Sequence, residues 1–252
     1  MARIISIVNQ KGGVGKTTTA INLGAYLSHL GQRVMLIDID PQANASSGLG
    51  KDIRKIGRGI YDVMILNHPI HDVILETDHE GYKMIPSHVN LAGANIELVN
   101  FDEREFVLRK KIIELDPHYD YIIIDCPPSL GLLTLNGMVA AREIIIPVQA
   151  EYYALEGLGQ LMETIALIKE NLNPELEVLG ALLTMFEHKH KLSRDVLHEL
   201  HKYFPRKIFR SAIPRSIRLA EAPSHGKSIL KYDKQSTGAR AYHKFAREIL
   251  EK

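Results

Sequence analysis

A loop of glycines and lysines set between a strand and a helix constrains this chain more than any other stretch. Residues 4–8 (Ile4, Ile5, Ser6, Ile7, Val8) read as a short strand. Gln10-Lys11-Gly12-Gly13-Val14-Gly15-Lys16-Thr17-Thr18 follows, and residues 17–30 carry a helical pattern. Strand, glycine loop and helix in that order form the context of a phosphate-binding loop. Glycines let successive backbone N–H groups turn inward, and the helix N-terminus adds partial positive charge. Lys16 then reaches β- and γ-phosphates, and Thr17 offers its hydroxyl to Mg²⁺. The strict phosphate-loop pattern begins with glycine where this chain has Gln10, and a second lysine, Lys11, stands next to it.

The rest of the chain supplies the sheet that such a loop needs. Further β-branched runs at 34–37, 121–124, 144–146 and 178–183 are nearly continuous in apolar character. That is how strands covered on both faces read. Helical stretches at 103–115, 130–141, 155–171 and 193–203 separate them. The alternation predicts an α/β, doubly wound, mostly parallel sheet of P-loop NTPase type with helices on both faces. Neither repeat nor linker divides the sequence, so one domain over residues 1–252 is expected. Residues 42–58, rich in Gly, Ser and Asn, read as an irregular surface segment, free to recruit a partner, as is the acidic stretch 76–80. Residues 237–252 read as a helix with Tyr242, Phe245, Ala246, Ile249 and Leu250 on one side, a face suited to packing on the sheet.

Two carboxylate positions complete the expected site. Asp125 ends the run 121–124 and precedes Cys126-Pro127-Pro128, so it should emerge at the carboxyl edge of the sheet, where ligands of such folds bind. It suits a magnesium shell. Asp38 and Asp40, before Pro41, lie two apart after the second strand. One is expected to assist the metal and the other to orient or deprotonate an attacking water.

Together these stretches resemble a known family. Residues 11–18 resemble the deviant Walker A motif of the ParA/MinD ATPases, 36–42 their Walker A′ and 123–128 their Walker B. Residues 149–157 and 213–227 resemble the chromosomal ParA (Soj) branch. The resemblance implies ATP and Mg²⁺ as cofactors, held by Lys11, Gly12, Gly13, Val14, Gly15, Lys16, Thr17 and Thr18, with Thr17, Asp38 and Asp125 about the metal. It implies Lys11, Lys16 and Asp40 as catalytic residues and Pro214 with Ser216 along the adenine. Lys11 would cross the interface of an ATP-bound sandwich homodimer, as an arginine finger does in trans, and Gly12 would lie where the subunits meet. Some relatives carry Asn near Met185 to read the base, and this chain does not. A ParB-like centromere-binding partner would stimulate hydrolysis. A MinD-like, membrane-surface positioning ATPase is the alternative, and a P-loop synthetase a further rival.

Composition sharpens the choice. The 252 residues hold 31 Lys and Arg against 30 Asp and Glu, 45% hydrophobic residues and a single cysteine, so no internal disulfide and no cluster ligated by several cysteines is available. Five apolar residues before Asn9 are too few for a signal segment, which predicts a cytoplasmic protein. The net charge of +1 argues against a polyanionic partner only until it is divided. Residues 186–252 carry 16 Lys and Arg and 7 Asp and Glu, a net of +9, leaving −8 for residues 1–185. Arg194, Arg215, Arg218, Lys227, Lys231 and Arg240, together with Arg206, Lys207, Arg210 and Lys244, are therefore candidate contacts to double-stranded DNA without sequence preference, and nucleoid association follows. His188-Lys189-His190 has no ligand spacing and is assigned no metal.

Overall fold

The computed structural model describes residues 1–151, 157–187, 191–205 and 207–252, and for 191–194 the backbone alone. Eight strands form one sheet: β1 (Arg3–Ile7), β2 (Val34–Asp38), β3 (Leu75–Glu76), β4 (Tyr82–Ile85), β5 (Tyr121–Asp125), β6 (Glu143–Gln149), β7 (Glu177–Phe186) and β8 (Ile208–Pro214). Their order is β3-β4-β2-β5-β1-β6-β7-β8, and only the β3–β4 pair is antiparallel. Eleven helices are described: α1 (Lys16–His29), α2 (Asn44–Gly48), α3 (Ile60–Met64), α4 (Leu91–Glu97), α5 (Val107–Ile112), α6 (Leu132–Ala140), α7 (Leu158–Asn171), α8 (Lys191–Tyr203), α9 (Ile217–Glu221), α10 (Ile229–Tyr232) and α11 (Thr237–Leu250).

The continuous apolar runs are explained by two cores, one on each face. Along β1 and β5, Ile4, Ile122 and Ile124 face one core while Ile5, Ile7 and Ile123 face the other. α1 and α11 cover the second face, with Leu23, Leu27, Tyr242, Phe245 and Ile249 fully buried there. The apolar side of α11 is therefore spent inside the fold, as the sequence suggested. Ser236 caps that helix, and Arg3 donates to the Ile249 carbonyl at 2.8 Å. No helix among the described residues is long and apolar enough to cross a membrane.

Three local expectations change. The helix expected at 103–115 shrinks to α5, because Glu103 takes a left-handed conformation (φ 51°) that no helix interior accepts. The start of the helix expected at 155–171 lies outside the described residues; from Leu158 onward it is helical. Residues 42–58 are not irregular throughout: Asn44–Gly48 is helical, with Ala45, Ser46 and Gly48 buried against the sheet edge.

A buried histidine outside the nucleotide edge yields a stability prediction. His79, between β3 and β4, shares a hydrogen bond of 2.9 Å with the Ser228 hydroxyl at the start of α10. Burial first, then Lys231, lowers its pKa to about 4, with Asp78 opposing. The unfolded chain takes up a proton near pH 6.5 that the folded protein refuses until about pH 4, so stability is full above 6.5 and falls as pH drops through that window. His79→Gln is expected to remove about 2 kcal/mol of this acid dependence, measured by urea unfolding between pH 7 and 4.

Candidate nucleotide-binding site

The phosphate loop leaves the carboxyl end of β1 at the middle of the sheet. Asn9 anchors its entry, donating to the Pro147 carbonyl at 2.7 Å and accepting the Lys11 N–H at 2.9 Å. Gly13 and Gly15 take φ of 75° and 88°, the left-handed region that turns the chain into α1 and that side chains rarely adopt. Thr184 at the end of β7 donates to the Val14 carbonyl at 2.8 Å and pins the outer side of the loop.

The two lysines point to different tasks. Lys16 is buried, and its ammonium donates to the Lys11 carbonyl at 3.1 Å. Burial lowers its pKa, with Asp125 and Asp40 pulling the other way. A buried cation with one hydrogen bond of three is poised for an anion. Lys11 is half-buried, and its side chain has no ion pair among the described residues. A Cβ built on Gly12 meets nothing within 4 Å, so that part of the loop faces open space.

Opposite the loop stand the carboxylates. Asp38 and Asp125 pair in register between β2 and β5, and both are fully buried. Neither Asp125 oxygen completes a hydrogen bond of normal geometry. Burial first and Asp38 second push its carboxyl well above the usual range, against the weaker pull of Thr17 and Lys16. A buried, unpartnered carboxylate beside a threonine hydroxyl fits a hydrated divalent cation, and Mg²⁺ characteristically takes one or two carboxylates and fills its shell with water and phosphate.

Asp38, expected about the same metal, also has protein partners. One of its oxygens accepts the Ser46 hydroxyl and N–H at 2.7 and 2.8 Å, and the other the Asp40 N–H at 3.2 Å. These bonds tie α2 to the end of β2. Asp40 is nearly buried; one oxygen accepts the Gln42 N–H at 2.9 Å and the other has no partner among the described residues. Asp40 lines the same cavity of about 460 Å³ as Gly12, Gly13, Lys16 and Thr17.

A smaller cavity of about 210 Å³ adjoins Gly15 and Thr18, and Pro214 and Ser216 line it. Met185, at the place where some relatives read the base, and Thr184, Leu219 and Ala220, not singled out by the sequence, complete much of its wall. Met185 has φ of 50°, a strained conformation for a side chain of that size.

The basic candidates divide. Lys227, Lys231 and Arg240 are exposed and form no ion pair among the described residues; the Arg240 guanidinium donates to the Gln235 carbonyl. Arg215 is bound to Glu151 at 3.1 Å and Glu187 at 3.2 Å, and Arg218 to Glu221 at 3.0 Å and Asp233 at 3.6 Å. Both arginines therefore have surface ion-pair partners in the protein itself. The Arg194 side chain, Arg206 and His188-Lys189-His190 lie outside the described residues. Lys234, Lys244 and Arg247 are exposed as well.

A phosphate cradle on a parallel α/β sheet, with a buried lysine and an unpartnered aspartate, defines a P-loop nucleotide-binding protein. The model of an AAA-domain family, AAA_31, matches residues 2–178. The sporulation initiation inhibitor protein Soj of Bacillus subtilis is 50% identical over 249 residues, 99% of this chain and 98% of its own. Among solved structures, cobyrinic acid a,c-diamide synthase of Mycobacterium smegmatis with bound ADP and magnesium is 37% identical, with a TM-score of 0.89 over 100% of this chain and 95% of that one. The septum site-determining protein MinD of Pyrococcus horikoshii, complexed with Mg-ADP, is 29% identical, with a TM-score of 0.80 over 99% and 96%. The chain belongs to the ParA/MinD family.

Proposed function

We propose that this chain, an Mg²⁺-dependent ATPase of the chromosome-partitioning kind, acts as a nucleotide-controlled DNA switch. The observation that carries this reading is the division of labour in the loop, with Lys16 buried and Gly12 facing open space next to the half-buried Lys11. Lys16 and the loop N–H groups hold the phosphates. Thr17 and Asp125 hold the metal, which when bound neutralises charge on the β- and γ-phosphates. The free oxygen of Asp40 orients the attacking water. Lys11 of a second copy adds positive charge to the phosphates, so the ATP form is a sandwich homodimer. Two basic faces then act together on the DNA backbone, and a ParB-like partner completes the hydrolytic arrangement and releases the dimer. The protein would work in the cytoplasm, associated with the nucleoid.

Gly12→Val tests the dimer. Its Cβ has room in the monomer and no positive φ to strain, so the variant is expected to fold and to bind ATP as the parent does. In light scattering with ATP it should stay monomeric while the parent dimerises; a dimer of parent affinity would refute the role of this face.

Two rivals are weighed against particular features. A membrane-surface role of MinD type needs an unspent apolar helix face, and that of α11 is buried on β8 and α1. A synthetase reading has the Mycobacterium smegmatis enzyme behind it, at 37% identity against 50% for Soj. It requires a product beyond ADP and phosphate.

A further inference from the structure

We infer that the loop 51–58, in the acidic part of the chain, is a second phosphate-contact segment continuous with the basic surface at Lys227 and Lys231, so that one DNA duplex rests on both. The inference extends the proposed DNA binding and depends on it.

Two turns of the chain end against each other. α2 closes at Gly50, whose N–H donates to the Ser47 carbonyl at 2.9 Å, and the turn over Ala222–His225 closes at Gly226, whose N–H donates to the Pro223 carbonyl at 2.9 Å. Both glycines are left-handed, with φ of 79° and 63°. Their backbones touch: a Cβ on Gly226 would sit 2.6 Å from the Gly50 Cα, and one on Gly50 3.1 Å from the Gly226 carbonyl oxygen. Only glycine fits on either side of this joint. A lysine follows each, Lys51 and Lys227, so two basic segments far apart in sequence start from one point of the surface.

The charge beyond the joint is little compensated. Residues 50–58 hold Lys51, Arg54, Lys55 and Arg58 against Asp52 alone, a net of +3 inside a region of net −8. Asp52 is shared by Arg54 at 3.4 Å and Lys55 at 3.6 Å. Arg58 is exposed with no ion pair among the described residues, and Lys51 donates only to the Glu76 carbonyl, at 2.5 Å. The nearby Glu76 carboxylate is itself taken by Lys83 at 2.6 Å. Cations strung along a surface without exposed aromatic neighbours match a regularly charged phosphate backbone rather than unstacked bases. The joint also lies beside the nucleotide: Ser47 of α2 and Pro223 of the facing turn line the same cavity as Lys16.

The test is the salt dependence of binding to a mixed-sequence duplex, with a non-hydrolysed ATP analogue, for the parent, for Arg54→Ala/Lys55→Ala/Arg58→Ala and for Lys227→Ala/Lys231→Ala. Each phosphate contact contributes about 0.9 to the slope of log affinity against log salt, so the triple variant should flatten the slope by about 2 to 3 and weaken binding about tenfold or more. Its nucleotide affinity and thermal midpoint should match the parent's. A parent-like slope in the triple variant, with a flattened one in the Lys227/Lys231 variant, overturns the inference and leaves the loop to an acidic protein partner. Absence of duplex binding by the parent overturns the proposed DNA switch as well, which keeps the two failures distinct.

Discussion

Lys16→Ala is expected to abolish ATP binding at concentrations that saturate the parent, while the nucleotide-free fold survives. The side chain is 7% exposed, and its ammonium has a single hydrogen bond, to the Lys11 carbonyl. Burial disfavours its charge, and the nearby Asp125 and Asp40 restore part of it. Removing it therefore relieves a desolvated cation and also strips Asp125 of a counter-charge, two effects of opposite sign that leave the empty protein near its parent stability. With nucleotide bound there is no such cancellation. Charge-assisted hydrogen bonds are worth about 1.5–3 kcal/mol each, so losing two weakens binding by roughly a hundredfold or more. Calorimetric titration with ATP measures this directly, and thermal unfolding supports it: Mg-ADP should raise the parent's midpoint and leave the variant's unchanged. A variant that binds like the parent would mean that the loop does not cradle phosphates.

Asp40→Ala has the second large effect, and it falls on turnover instead of binding. One Asp40 oxygen is committed to the Gln42 N–H, the other has no partner among the described residues, and the residue lines the phosphate cavity. Loss of a group that positions or accepts from water costs about a hundredfold to ten-thousandfold in rate. Asp40→Asn separates chemistry from turn geometry. Its amide oxygen still accepts the Gln42 N–H, yet it cannot take a proton, so it should be as slow as Asp40→Ala. If Asp40→Asn hydrolyses ATP like the parent and only Asp40→Ala is slow, the side chain serves the turn and another group handles the water.

The sequence made the sheet's interior plain and its margins obscure, for a physical reason. β1, β2, β5, β6 and β7 are covered on both faces or nearly so, and such strands announce themselves as unbroken β-branched runs. β8 is an edge strand whose residues alternate in exposure from Ile208 to Pro214, so Arg210 and Ser211 interrupt the apolar pattern. Its open N–H groups at Arg210 and Ser211 are met by the buried Glu248 of α11 at 2.8 and 2.9 Å, a contact no local pattern predicts. β3 has two residues and β4 four, too short for periodicity.

The candidate site divides in the same way. The loop, Asp125 and Asp40 were legible because each chemical task fixes a residue type beside a strand end. The bonds from Ser46 to Asp38 were not legible, because Ser46 lies eight residues away in a helix that the Gly, Ser and Asn content disguised. Thr184 needed the sheet order, since only the β6–β7 pairing brings the end of β7 beside Gly15. The ion pairs of Arg215 and Arg218 were not legible, because sequence counts charges and not their partners.

The central claim, that ATP and not ADP commits the protein to DNA and that hydrolysis releases it, is tested most directly by cosedimentation with a long mixed-sequence duplex. Three samples suffice: parent with Mg-ADP, parent with Mg-ATP, and Asp40→Ala with Mg-ATP. The account predicts little pelleted protein with ADP, more with ATP, and most with Asp40→Ala, which binds ATP and cannot discharge it. Equal pelleting in all three, or binding by the ADP form alone, would contradict it.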